Sequence, residues 1–219
     1  METWQFLLDH GGETLKLAWQ HAWVVAIAVT IAICTGVPIG IWITFNRRAA
    51  DVVLYLAGII MTIPSIALFG IMIPFLSMFG YGVGVVPAIV ALVLYSQLPI
   101  IRNTYAALRS VDPNMIDAGR GMGMTPAQVL FKVRLPMALS IIFAGVRVAV
   151  VMSIGIGAIA AYIGAGGLGH YIFMGINQTY DAMIKTGALC VAVMAIVVDY
   201  LFGLIEKRLV SKGLQGDDG

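Results

Sequence analysis

"VDPNMIDAGRGMGMTPAQVLFKVRLPMA", residues 111–138, is a polar stretch inside a chain that is otherwise almost continuously apolar. Asp112, Asn114, Asp117, Arg120, Gln128, Lys132 and Arg134 fall within it, and Arg109 lies just upstream. Its local pattern is helical. Asp112 before Pro113 predicts a helix start, because the carboxylate accepts from free N–H groups of the first turn and proline has no N–H to leave unpaired there. That helix should run to about Met122, with Gly123 free to take the left-handed conformation that ends it. Thr125-Pro126-Ala127-Gln128 predicts a second start, Thr125 capping and Gln128 closing a capping box. The second helix should end near Arg134, with Leu135-Pro136 leading into the next apolar run. Met115, Ala118 and Met122 recur at three- and four-residue spacing and form a small apolar ridge beside Asp117 and Arg120. Such a ridge either packs beneath the chain's own helices or enters a partner's groove.

The surroundings decide where this segment sits. The chain is 60% hydrophobic and 11% charged, with a mean hydropathy of +0.96, whereas soluble domains carry about 25% charged residues. A water-soluble globule is excluded on that balance. The net charge of +2 is too small for a nucleic-acid partner. Five runs are long enough to cross a bilayer, which takes about 20 apolar residues: 21–45, 52–79, 83–101, 138–163 and 186–205. The fold class expected is therefore all-α integral membrane, one transmembrane domain over 1–219 with about five spans. Residues 2–9, with Trp4, Leu7 and Leu8 on one face, read as an interfacial helix within an N-terminal segment 1–20. Gly11-Gly12 should break it, and Trp19 and Trp23 mark the headgroup level where indoles settle. No removable signal peptide is apparent.

Orientation follows from the basic residues. Five spans place the 46–51 loop, the 102–137 segment and the C-terminus, with a flexible tail over 209–219, on one side. That side holds Arg47, Arg48, Arg102, Arg109, Arg120, Lys132, Arg134, Lys207, Arg208 and Lys212, against Lys16 and Lys185 on the other. Positively charged loops stay inside, so the N-terminus is expected outside and the C-terminus in the cytoplasm. Pro38, Pro64, Pro74, Pro87 and Pro99 punctuate the spans. Broken helices persist at membrane depth only where neighbours or a cavity satisfy the freed backbone groups. Ordinary kinks account for any one of them. Taken together, the "TIPS" at 62–65 and "FGIMIPF" at 69–75 make Pro64, Ser65 and Pro74, with Tyr95 on the following span, candidates to line a pathway.

The spacing Asp117-Ala118-Gly119, three residues, Gly123, nine residues, Val133-Arg134-Leu135-Pro136 resembles the EAA signature of ATP-binding-cassette importer permeases. Asp117, Gly119 and Val133 replace the signature's Glu, Ala and Ile. Gly119 is the costliest change, weakening a helix by roughly 1 kcal/mol relative to Ala. The resemblance implies that residues 102–137 are a coupling segment whose Met115, Asp117, Ala118, Gly119, Met122, Gly123, Leu135 and Pro136 dock on a separate cytoplasmic ATPase. "QLPIIRNTYAALRSVDPNMIDAGRGMGMT" and "IGAGGLGHYIFMGI" extend the likeness to the osmoprotectant branch, which imports glycine betaine, carnitine, choline or proline. Methionine permeases are the nearest alternative. The partners implied are a second permease subunit, two ATP-binding subunits and an extracytoplasmic solute-binding protein received near the 164–185 loop.

Other signals lead elsewhere or nowhere. Gly164–Gly169 satisfies G-x-G-x-x-G, but a 20-residue apolar run precedes it where a dinucleotide site needs a strand. The chain lacks G-x-x-x-x-G-K-[ST], so ATP hydrolysis has no site here and no cofactor is expected. Cys34 and Cys190 lie in apolar runs without metal-ligand spacing. Arg147 and Asp199 fall inside the fourth and fifth apolar runs, each roughly 10 Å from the inner end. An unpaired charge at bilayer depth costs about 2.5 kcal/mol or more, so an Arg147–Asp199 ion pair is expected; separate snorkelling to the headgroups and a substrate contact by Asp199 stay open. An ATP-independent secondary carrier would want more ionisable groups at mid-membrane than these spans hold.

Overall fold

The structure, a computed structural model, describes residues 2–209. Beyond its first residue, the tail expected over 209–219 lies outside them. The described residues form helices joined by short turns. In order they are α1 (Glu2–Asp9), α2 (Gly11–Ile43), α3 (Arg47–Thr62), α4 (Ser65–Ser77), α5 (Val85–Arg109), α6 (Pro113–Gly121), α7 (Pro126–Val129), α8 (Leu135–Ala160), α9 (Gly169–Gln178) and α10 (Asp181–Leu209). Four stretches are long and apolar enough to cross a membrane: α2, α5, the run Pro126–Ile163 that contains α7 and α8, and α10. The α3–α4 pair supplies a fifth only as a broken span, bent by 101°.

Alternating small and branched side chains let three of these helices pack closely. α5 lies between α2 and α8, and Ala28, Ala32, Ala88, Ala91, Leu92 and Ala149 are buried where they meet. Gly36 and Gly40 present one bare stripe of α2 to α5, and a Cβ on Gly40 would stand 2.6 Å from the Thr104 Cβ. Small residues at four-residue spacing are what bring membrane helices together, because dispersion and close backbone approach replace the hydrophobic effect there. His21 joins α2 to α8, its Nε2–H donating to the Ile154 carbonyl at 2.9 Å.

Several boundaries differ from the sequence reading for identifiable reasons. The glycine pair does not break the first helix: the turn falls at His10, and Gly11-Gly12 open α2. α1 is held down by Phe6, which packs edge-on against Tyr171 and Tyr180, while Trp4 and Leu8 stay exposed. The 46–51 loop is mostly helix, because the Asn46 side chain accepts from the Arg48 and Ala49 N–H groups and starts α3 at once. α5 continues to Arg109, past the apolar limit at 101, since hydropathy marks where a helix leaves lipid and not where it stops. Gly164–Gly169 folds inward against α2 and α8. Gly164, Gly166 and Gly167 take positive φ there, and a Cβ on Gly169 would strike the Ala158 carbonyl at 1.8 Å.

Candidate functional site

Residues 110–136 fold as a capped hairpin. The Asp112 carboxylate accepts from the Asn114 N–H at 2.9 Å and starts α6 at Pro113. α6 closes with Gly123 at φ +82°: its N–H donates to the Arg120 carbonyl at 2.9 Å and the Met124 N–H to the Gly119 carbonyl at 3.1 Å. This is the two-bond Schellman closure that only a left-handed residue permits cheaply. Thr125 and Gln128 then cap α7 reciprocally, Thr125 Oγ1 accepting from the Gln128 N–H and Gln128 Oε1 accepting from the Thr125 N–H. Both starts and the intervening stop are thus satisfied by side chains or turns within the hairpin, which makes it stiff.

α7 does not end at Arg134. The chain passes from Val129 through a π-helical turn, Leu130–Arg134, straight into α8. The cause is Pro136. An α-helical proline lacks the N–H that Lys132 would receive and crowds that carbonyl with its ring. Widening the preceding turn relieves the clash without breaking the rod, and such π turns recur at functional positions. Arg134 braces the junction by donating from Nη2 to the Leu108 carbonyl, 2.8 Å away at the end of α5.

The hairpin has two faces. Met115 and Ala118 on α6 and Met122 at its C-terminal cap lie exposed, Met122 with 72% of its surface open, so the ridge does not pack beneath the chain's own helices. Asp117 and Arg120 flank it in an exposed ion pair at 3.4 Å. Gly119, expected on the docking face, is instead buried, and a Cβ there would touch Met124, Val129 and Val133. Its place in the signature spacing is thus explained by the close crossing of α6 over α7. Leu135 likewise turns inward, against Ala107, Leu108, Ala138 and Ile142. Gly123 and Pro136 remain at the surface.

The candidate pathway residues separate as well. Pro64 and Pro74 are exposed on α3–α4, whereas Ser65 is half-buried on the face of α4 that carries the buried Leu68 and Phe69. Tyr95 does not line that surface. It is buried, and its hydroxyl donates to the Ile63 carbonyl at the break. Pro64 ends α3 because the residue before a proline is pushed to extended backbone, and Ile63 has ψ +127°. The Tyr95 hydroxyl thereby satisfies a carbonyl that the interrupted helix leaves free.

Between α8 and α10, Arg147 meets Asp199 in a two-pronged pair, Nε to Oδ1 at 2.7 Å and Nη2 to Oδ2 at 2.8 Å. Its remaining nitrogen, Nη1, donates to Glu206 Oε2 at 2.9 Å. Glu206 was not anticipated. Asp199, Gly203 and Glu206 share one helical face at four- and three-residue spacing, but in sequence that spacing does not set Glu206 apart from an ordinary polar helix end.

The geometry is that of a bundle of apolar spans, one broken at proline and another running out into a capped polar hairpin. Residues 36–211 match the family described as "binding-protein-dependent transport system inner membrane component", and the chain belongs to that family. It is an inner-membrane permease of the type that serves ATP-binding subunits and a substrate-binding protein. Among similar proteins, the osmoprotectant import permease protein OsmW of Salmonella typhimurium is 49% identical over 215 residues, covering 98% of this chain and 100% of its own. The choline transport system permease protein OpuBB of Bacillus subtilis is 42% identical, covering 96% and 95% of the two chains. The inward-facing methionine transporter MetNI superposes with a TM-score of 0.82 at 25% identity, covering 90% of this chain and 96% of its own. An amino-acid ABC transporter crystallised with histidines shares the fold, with a TM-score of 0.78 at 20% identity over 93% and 97% of the chains.

Proposed function

We propose that this chain forms one half of the translocation pathway of an ATP-driven importer for a compatible solute such as glycine betaine, carnitine or choline. The observation that carries the coupling role is the exposed Met115–Ala118–Met122 ridge, carried on a hairpin continuous with α8. A short, stiff apolar ridge fits a groove on an ATPase. Met115, Asp117, Ala118, Met122, Gly123 and Pro136 form its contact surface, and Asp112, Thr125 and Gln128 hold it rigid. The substrate class rests on the relatives, whose names specify osmoprotectant, choline and glycine betaine/carnitine/choline transport.

In this reading the hairpin and C-terminus face the cytoplasm, where the basic residues concentrate, and the N-terminus and α9 face outward towards a solute-binding protein. A second permease subunit completes the cavity, since pathways commonly form between related halves. Two ATP-binding subunits hold one hairpin each. Their closure on ATP displaces the hairpins, α7 and α8 move as one rod, and the spans rock between inward- and outward-facing arrangements. The open side of α3–α4, with Pro64 and Pro74, faces the shared cavity, and Ser65 lies at its edge. ATP hydrolysis stays on the partner, and this chain itself performs no chemistry.

The test is uptake into proteoliposomes holding the permease, its ATPase and its binding protein. Labelled glycine betaine, carnitine or choline should accumulate only with ATP inside the ATPase compartment. Accumulation of methionine in their place would shift the substrate to the amino-acid branch, and uptake that persists without the ATPase would make the chain a carrier.

A further inference from the structure

Arg147 sits on the rod that begins in the docking hairpin, at the height where α8 faces α10. Its guanidinium lies across α10 at Gly203, where a Cβ would stand 3.3 Å from Nη1 and 3.4 Å from Cζ. That bare position lets one guanidinium reach a carboxylate on either side of it. Asp199 and Glu206 are seven residues apart, so the grip extends over roughly 10 Å of α10. One turn nearer the hairpin, Phe143 stacks on Phe202 with ring centroids 5.4 Å apart.

Three features separate this cluster from simple charge neutralisation. Asp199 alone neutralises Arg147, with both carboxylate oxygens engaged, so charge balance at Arg147 does not require Glu206. A single ion pair fixes a point, whereas two carboxylates two turns apart fix both the rotation and the slide of α10 against α8. Finally, none of the most apolar stretch of α10 is fully buried in the chain, Val191, Met194, Val198 and Phe202 packing on the core from its edge. The side chains stay partly open, Arg147 at 32%, Asp199 at 42% and Glu206 at 26%. They can therefore exchange partners without an uncompensated burial.

We infer that Arg147, gripping Asp199 and Glu206 across Gly203, is a positioning residue that forces α10 to move with α8 when the docking hairpin is displaced. This inference rests on the importer reading above. Without the grip, force delivered to the hairpin would shift α8 and leave α10, and with it the outer α1–α9 cap that packs on α10, behind.

The experiment uses the whole complex in proteoliposomes and reads solute moved per ATP hydrolysed, alongside the amount of assembled complex. Arg147→Ala should lower that ratio roughly tenfold, the size of an ordinary coupling between sites. Arg147→Lys should restore assembly to the wild-type level but not the ratio, because one ammonium cannot hold two carboxylates two turns apart. Glu206→Gln, which leaves the two-pronged pair intact, should give an intermediate ratio. Should Arg147→Lys couple like the wild type, or Glu206→Gln leave the ratio unchanged, the grip has no transport role and the inference fails. If Arg147→Ala does not assemble, the lysine and glutamine variants still decide the matter. A wild-type complex that moves solute without consuming ATP overturns the importer reading, and the inference with it.

Discussion

The hairpin of α6 and α7 and the break between α3 and α4 are both interruptions of helix at proline, yet they are built in opposite ways. At the hairpin, each interruption is closed locally: Asp112, Gly123, Thr125 and Gln128 satisfy the backbone ends, and Pro136 is absorbed by a widened turn. At the break, Pro64 has no side-chain cap, the helices diverge by 101°, and the Ile63 carbonyl depends on a hydroxyl from a different helix. The hairpin is rigid on its own account. The break is held from outside, so its angle can change when α5 moves relative to α3. On the function proposed above, stiffness is needed where force would enter and compliance where the pathway would open, and the two sites are built to match those tasks.

Substitutions can test that division. The largest effect is expected from Gly123→Val. A β-branched residue at φ +82° costs about 1–3 kcal/mol and reopens the hairpin, so uptake should fall by about tenfold or more while the protein still inserts. Uptake and co-purification of the ATPase, measured together, check this. Thr125→Ala should act in the same direction but more weakly. It removes one cap, worth about 0.5–2 kcal/mol, and should raise hydrogen exchange across 126–130 with a partial loss of uptake. Tyr95→Phe should be milder still and should act elsewhere. It deletes one hydrogen bond, worth about 1 kcal/mol, so cysteine labelling near Pro64 should quicken while exchange in the hairpin stays unchanged. A hairpin that loosens in Tyr95→Phe would erase the contrast between the two sites.

Much of the hairpin was legible in sequence because caps are local: an acceptor, a proline and a glycine at fixed offsets specify the backbone without reference to the rest of the fold. The direction each residue faces was less legible. Gly119 and Leu135 share the signature spacing with the exposed ridge, but the crossing of α6 over α7 and the continuity of α8 turn them inward. No pattern along the chain encodes that crossing. Tyr95 misled for a similar reason: an aromatic on a span reads as a pathway surface, whereas its partner, Ile63, is 32 positions earlier and is set by packing. The Arg147–Asp199 contact could be anticipated because lipid makes an unpaired charge expensive. Glu206 could not be told from the polar residues that end any span. The rod from Pro126 to Ile163 was cut in two by the sequence reading, since Pro136 normally marks a boundary and nothing local announces that a π turn will carry the helix through.

Coupling of this kind requires the exposed face of the hairpin to meet a nucleotide-driven partner. Single cysteines at Met115, Met122 and, as a control, Phe75 can be treated with a short bifunctional crosslinker in the assembled complex. Met115→Cys and Met122→Cys should each join the permease to the ATP-binding subunit, and Phe75→Cys should not. Joining through Phe75→Cys alone, or no joining from either hairpin position in a complex that transports, would contradict it.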